Sequence, residues 1–337
     1  MIMVSPLVSK KIYDTYNNRP FVLEGANGSI ALSILKVFQE LNIIPNRVLL
    51  TTASSDLENE WKKSGYEITH LRFMDSEFYK KKEEYLTLLP EVTNVIYGAG
   101  YGRPNKFLGD PEAVIKSNVH SLLKYCQTGP FNTFAYISTS EIYTGSPSEV
   151  NEDSPFSSSP QHPRSVYIES KRLGEAIITH LVCKKFKRAA IYRTALATPP
   201  RMLRNDQRVL SDLIRSAKNE GIVSLKGGSE LIRQYQYGPN AAYKMLGSLV
   251  NGISPMYINA GAHIVTLGEL AQIVARIFKV PYEIESSTID SSSPQLVLLN
   301  FSKINYDSQY TEDQEKDLEF YLRKIVDNSS ETGYKVE

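Results

Sequence analysis

Residues 20–42 read PFVLEGANGSIALSILKVFQELN, and the order of residue types within them decides the fold. The run from Pro20 to Glu24 is apolar and of strand length, and ALSILKVFQELN repeats its apolar residues at helical spacing. Between them stand Gly25, Gly28 and Ala31, a G-x-x-G-x-x-A pattern. Glycine there permits a tight turn and lets a pyrophosphate approach the N–H groups that open a helix. Strand, glycine turn and helix in this order favour a dinucleotide site over a purely structural turn.

The same rhythm recurs outward from this unit. Strand-like NRVLLTT (46–52), helical SDLENEWKKSG (55–65), strand-like EITHLRF (67–73), helical KKKEEYLTLL (80–89) and strand-like TNVIYGAG (93–100) follow in order. Next come a helix over PEAVIKSNVHSLLKYCQ (111–127), a strand TFAYISTS (133–140), a Ser- and Pro-rich loop (144–163), a long helix from Ser165 to about Lys187, and a strand AAIYRT (189–194). Such alternation predicts an α/β fold: a Rossmann-type, doubly wound parallel sheet of six or seven strands with helices on both faces. Beyond Pro199 the pattern loosens into a helix near 207–219, a short strand VSLKGG, a helix around 240–251, a strand MYINAG (256–261) and a helix TLGELAQIVARIFK (266–279). The expectation is a nucleotide-binding domain over 1–200 and a smaller C-terminal α/β domain over 201–337. The two would be partly interleaved, with the site in the cleft at the carboxyl edge of the sheet.

Composition removes several function classes. With 38 basic and 37 acidic residues the net charge is +1, so neither nucleic acid nor an acidic membrane surface is the expected partner. Cys126 and Cys183 form no C-x-x-C pair, which argues against a disulfide scaffold and a thiolate zinc site. No apolar stretch reaches membrane-spanning length, and MIMVSPLVSKK is too short an apolar run for a secretion signal. A cytoplasmic protein is expected. No metal site is expected among the five histidines, and no G-x-S-x-G elbow supports a hydrolase.

Residues 162–181, HPRSVYIESKRLGEAIITHL, place Tyr167 and Lys171 four apart on one helix face. The spacing alone also suits an ordinary surface pair. Its context is more specific: the glycine turn at 25–31, GAG at 98–100, Asn118 in a helix, ISTSEIY at 137–143, then Y-x-x-x-K. This ordered set resembles the extended short-chain dehydrogenase/reductases of the NAD-dependent sugar-nucleotide epimerase and dehydratase group, from Pro20 to about Ile325.

The resemblance implies NAD as cofactor, with NADP left open, and a nucleotide-sugar substrate. Gly25, Asn27, Gly28, Ser29 and Ile30 would cradle the pyrophosphate, Thr51 and Thr52 would meet the adenosine ribose, and Gly98, Ala99, Gly100 and Asn118 would line the cofactor. Asp56 is either a ribose ligand or a helix N-cap. Tyr167 would be the base that takes a carbinol proton, Lys171 would lower its pKa and bond the nicotinamide ribose, and Thr139 would position the hydroxyl. Glu141, with Ser140, would manage a later proton. Asn118 has the alternative of a polar residue facing solvent.

The same resemblance frames the reaction. Where sugar-nucleotide 4,6-dehydratases carry Thr-Asp-Glu, this chain has Thr139-Ser140-Glu141, which is similar to UDP-glucuronate decarboxylases, as are Pro200-Arg201-Met202, Asn205-Asp206 and Arg208-Val209. That family's late cation is replaced by Val297. Leu196 and Tyr237-Gly238-Pro239-Asn240 also depart from the group's pattern. Arg201 and Arg233 are candidates for the substrate diphosphate or for surface ion pairs. Arg103, with Tyr101 and Lys106, lies on a loop that either meets the sugar or is merely basic. Epimerase (isomerase), dehydratase (lyase) and decarboxylase chemistry all remain open, as does a regulatory relative without turnover. A homodimer through helices 111–127 and 165–187 is expected.

Overall fold

The computed structural model describes residues 5–26, 28–52, 58–73, 75–100, 104–146, 149–203, 206, 208–251, 256–285, 298–299 and 318–331. The chain opens with α1 (Pro6–Tyr16), β1 (Pro20–Glu24), α2 (Ser29–Glu40), β2 (Arg47–Thr52), α3 (Glu58–Lys63), β3 (Ile68–Arg72), α4 (Phe78–Thr87) and β4 (Asn94–Tyr97). It continues through α5 (Pro104–Gly109), α6 (Pro111–Ile115), α7 (Ser121–Gln127), β5 (Phe131–Thr139), β6 (Glu149–Val150), α8 (Ser165–Ile177), β7 (Phe186–Thr194) and β8 (Leu196–Thr198). The remainder is α9 (Val209–Asn219), β9 (Val223–Leu225), β10 (Ile232–Tyr237), α10 (Gly238–Asn251), β11 (Met256–Ala260), β12 (His263–Thr266), α11 (Leu267–Phe278), β13 (Tyr282–Ile284), β14 (Leu298–Leu299) and α12 (Leu318–Glu331).

Seven strands form one parallel sheet in the order β11-β7-β5-β4-β1-β2-β3. The order reverses between β1 and β4, which opens a crevice at their carboxyl ends, the place where sheets of this kind bind ligands. All five residues of β1 and all four of β4 are buried, as expected of strands covered on both faces. One face packs on α1, α2 and α10 through Ile12, Tyr16, Ile34, Phe38, Leu246 and Leu249. The other packs on α4, α7 and α8 through Leu86, Leu122, Tyr125 and Ile177. A further core joins α9, α11 and α12 over β9 and β10.

Several elements, β10 and α12 among them, are additional to the sequence reading, and three further differences have a clear local cause. α1 is an added helix: Ser5 caps it, Pro6 occupies its first turn, and Val8, Ile12 and Tyr16, four apart, bury one face. The helix expected to reach about Lys187 loses regular α geometry after Ile177, passing through a π turn (Ile178–Val182) and a 3₁₀ turn. β7 then begins at Phe186, whose ring packs on Phe131 and Phe134 at 5.4 and 4.7 Å. A second π turn, Lys116–His120, joins α6 to α7 within the helix expected over 111–127.

Candidate active site

At the switch point the chain turns sharply after Glu24. Gly25 has φ +77°, and a Cβ there would stand 2.7 Å from backbone atoms of Gly98 and Ala99, so only glycine fits where the β1 and β4 loops touch. Gly28 stands at the N-cap of α2 with no side-chain hydrogen bond, so among the described residues no N-cap side chain satisfies the first-turn N–H groups of this 12-residue helix. Ser29 opens α2, Ile30 packs against the adjoining core, and the Ser29 hydroxyl accepts from Arg208 at 2.9 Å. Arg208 is itself held by Asp206 through a fork of 2.6–3.0 Å and donates to the Ala197 carbonyl.

Thr51 does not offer its hydroxyl to the cleft. It is buried and donates to Glu24 Oε2 at 2.6 Å, while its oxygen accepts from the Gly25 N–H at 3.3 Å. Asn27, Asp56, Tyr101, Arg103, Asn205 and Val297, and the side chains of Thr52 and Lys106, lie outside the described residues.

Tyr167 and Lys171 both turn inward from α8, 7% and 4% exposed. Lys171 Nζ donates to the Ile137 carbonyl at 2.9 Å and to the Ala99 carbonyl at 3.4 Å, so it ties α8 to the ends of β5 and β4. Burial pushes its pKa down to about 8, against the raising influence of Glu175. Asn118 lies in the π turn, where its Nδ2 donates to Ser170 Oγ at 2.8 Å. Its buried Oδ1 has no hydrogen-bond partner. A Cβ on Gly100 would meet that Oδ1 at 2.8 Å and Lys171 Nζ at 3.0 Å, so Gly98, Ala99 and Gly100 bring the backbone against both polar heads.

Thr139 ends β5, its side chain near enough to the Tyr167 phenol to favour the phenolate, and its hydroxyl accepts from the Glu141 N–H at 3.2 Å. Ser140 and Glu141 open the 3₁₀ turn that follows. The Glu141 carboxylate is gripped by Arg164 in a fork, Nε and Nη2 each at 2.6 Å. Arg164 lies 4.6 Å over the Phe107 ring, and Phe107 in turn stacks on Tyr167. The sequence reading has Lys171 lowering the Tyr167 pKa; in this state burial under Phe107 instead pushes the phenol above its ordinary value, and the Glu141 charge adds to that rise. Arg233, reaching from β10, senses both Arg164 and Glu141, while burial and the Arg164 charge disfavour its own charged form. Arg201 points elsewhere, ion-paired with Glu60 of α3 and donating to the Met202 carbonyl.

The structure therefore brings Tyr167, Lys171, Thr139, Ser140, Glu141, Asn118, Gly100 and Arg233 to one region and leaves Arg201 out of it. Sequence reasoning gave no role to Phe107, Arg164 or Glu24. Pro163-Arg164 before the tyrosine segment was the available signal for Arg164, and Phe107 stands one position past the basic loop. Among the described residues no cluster of three metal-ligating side chains occurs, and no helix is long and apolar enough to cross a membrane.

Comparison with known proteins bears on the family and the fold. Residues 21–261 match the model of the NAD dependent epimerase/dehydratase family. No curated protein matches the sequence. Among solved structures, an epimerase from Methanothermobacter thermautotrophicus is similar at TM-score 0.76 and 18% identity, covering 97% of this chain and 96% of its own. UDP-glucose 4-epimerase from Thermotoga maritima gives 0.73 and 16% over 93% and 99%. The dTDP-glucose 4,6-dehydratase DesIV from Streptomyces venezuelae gives 0.74 and 14% over 93% and 97%. At these identities the structural likeness shows a shared fold, and the family match spans most of the chain. The uncapped α2 terminus, Arg208 at Ser29 and the unpartnered Asn118 Oδ1 fit a dinucleotide. The chain belongs to the NAD-dependent epimerase/dehydratase family, and NAD is its cofactor.

Proposed function

We propose that the protein oxidises the C4 hydroxyl of a nucleotide-activated hexose and processes the resulting ketone. The observation that carries this reading is the convergence of Tyr167, Lys171 and Thr139 at the carboxyl ends of β4 and β5, beside the turn that fits NAD. NAD, when bound, takes up the hydrogen and electron pair of the alcohol and can return them. The remaining steps fall to this chain's own side chains. Thr139 holds the substrate hydroxyl, Tyr167 receives its proton at the phenolic oxygen, and the Lys171 ammonium stabilises the phenolate. Once C4 is a ketone the C5 proton is acidic, and the Glu141 carboxylate, held in place by its Arg164 fork, is the available acceptor, with Ser140 beside it.

A second reading draws on Arg233. Arg164 and Arg233 approach a single carboxylate, so the region carries surplus positive charge. That surplus suits an anionic substituent on the sugar, as in UDP-glucuronate. Incubation with UDP-, GDP-, dTDP- and CDP-hexoses and with UDP-glucuronate separates the outcomes by product mass: loss of about 18 units for water, about 44 for carbon dioxide, or an unchanged mass with altered NMR couplings for epimerisation. Failure to convert any of them would remove the reading.

Two further assignments belong to this proposal. The site would lie between a nucleotide-binding domain over 1–200, completed by α10 and β11, and a substrate domain drawn mainly from 201–337 and partly interleaved with the first. A homodimer would form through Ile115, Val166, Leu173 and Leu181, large apolar side chains exposed on α6, α8 and the turn after α8. Leu173→Glu should then halve the mass seen by sedimentation.

A further inference from the structure

Directly beneath the glycine turn lies a charged pair that the family's chemistry does not require. Glu24, the last residue of β1 and the neighbour of Gly25, is 1% exposed, and Lys82, from the middle of α4, is 0% exposed. Lys82 Nζ pairs with Glu24 Oε1, and it also donates to the Ser121 hydroxyl at 2.7 Å and the Ser121 carbonyl at 2.9 Å. The ring faces of Tyr125, Tyr97 and Phe78 surround it at 4.6, 5.6 and 6.0 Å. The Glu24 carboxylate further accepts from Tyr125 at 2.9 Å and from Thr51 at 2.6 Å. Because Thr51 spends its proton on Glu24, a lone pair of its oxygen faces the Gly25 N–H. The Thr51 carbonyl accepts from the Gly25 and Ala26 N–H groups at 2.9 Å each, so Glu24 braces, through the Thr51 side chain, the residue that holds the turn.

A carboxylate is a poor foundation for a turn that receives an anion. Left alone, its charge would oppose a pyrophosphate lying over Gly25–Ser29, and in a water-poor interior that opposition is weakly screened. We infer that Lys82 is a positioning residue for the cofactor: it is the counter-charge that allows a turn braced by Glu24 to hold a dinucleotide. Lys82 acts without touching the ligand. Burial lowers its pKa and the Glu24 charge opposes that shift. The inference rests on NAD occupying the glycine turn.

The test is NAD titration by calorimetry on full-length protein, with the folded fraction of each variant measured alongside. Lys82→Met should weaken NAD binding about tenfold, the scale of one uncompensated like charge within about 10 Å at an effective dielectric near 20. The double variant Glu24→Gln/Lys82→Met, which removes both charges, should return affinity to within about threefold of wild type, since the two sites are coupled rather than additive. A purely structural role would lower the melting temperature in both variants without this reversal. Unchanged affinity in Lys82→Met, or equal loss in the single and double variants, overturns the inference. Should Lys82→Met not fold, Glu24→Gln decides: it leaves the cation unopposed and should bind NAD at least as tightly as wild type, and weaker binding overturns the inference. Wild-type protein that binds neither NAD nor NADP would instead remove the cofactor reading on which the inference stands.

Discussion

Phe107 lies flat on Tyr167, with ring centroids 4.7 Å apart and planes 8° from parallel. The contact excludes water from one face of the phenol, and burial is the largest cause of its raised pKa. A packing residue on α5 and the proposed base on α8 are therefore electrostatically linked. Phe107→Ala should cost about 3–5 kcal/mol of stability, as for other buried aromatic truncations. It should also let water reach the phenol, so the acid limb of the kcat/KM profile should move to lower pH. An unshifted profile in folded protein would deny the link.

Removing the phenolic oxygen separates chemistry from binding. Tyr167→Phe keeps the stack on Phe107 and loses only the proton acceptor, so turnover should fall by roughly 10²–10⁴-fold. NAD affinity should stay close to wild type. Retained turnover would strip Tyr167 of its proposed role.

Lys171 makes stability depend on pH in a defined direction. Its folded pKa is about 8 against an ordinary 10.5, so between those values the unfolded chain holds a proton that the folded chain lacks. Stability then rises with pH across that window by up to about 3 kcal/mol, at about 1.4 kcal/mol per unit. Comparing cofactor-free wild type with Lys171→Met by urea unfolding from pH 7.5 to 10.5 isolates this contribution. The difference between them should grow in favour of wild type; a constant difference would contradict the assignment.

Arg164 carries two contacts at once, the fork to Glu141 and the face of Phe107. Arg164→Met leaves Glu141 partly buried without its partner and should cost about 1–3 kcal/mol. Arg164→Lys should recover little, because an ammonium cannot reproduce a bidentate fork. Full recovery by lysine in urea melts would show that charge alone matters there.

Local sequence carried the architecture far. Strand runs, the Gly25–Ala31 turn and the Tyr167–Lys171 spacing are short-range signals, and each falls on the element expected of it. The unread features are long-range. Lys82 sits in KKKEEY, a run that reads as a solvated face, and only the approach of Ser121 and Glu24 from other elements makes it interior. Arg208 meets Ser29 across 179 residues, and nothing local marks that pairing. The π turn at Asn118 leaves no trace in apolar periodicity, since the wider turn shifts the pattern by a single residue. For Arg201 the sequence left a ligand contact and an ion pair open, and the folded chain pairs it with Glu60 of α3.

The seventh strand of the main sheet arrives late. β11 pairs with β7 only after the chain has built β9 and β10 elsewhere, and α10 covers the face beside α1 and α2 with Ala242, Leu246 and Leu249. On a ribosome, the first 200 residues would emerge with a bare sheet edge and an uncovered greasy face, and would stay incomplete until residue 260 had cleared the exit tunnel. Cutting the gene at the apparent boundary near residue 200 would thus yield a sticky, holdase-dependent fragment rather than a free-standing cofactor module.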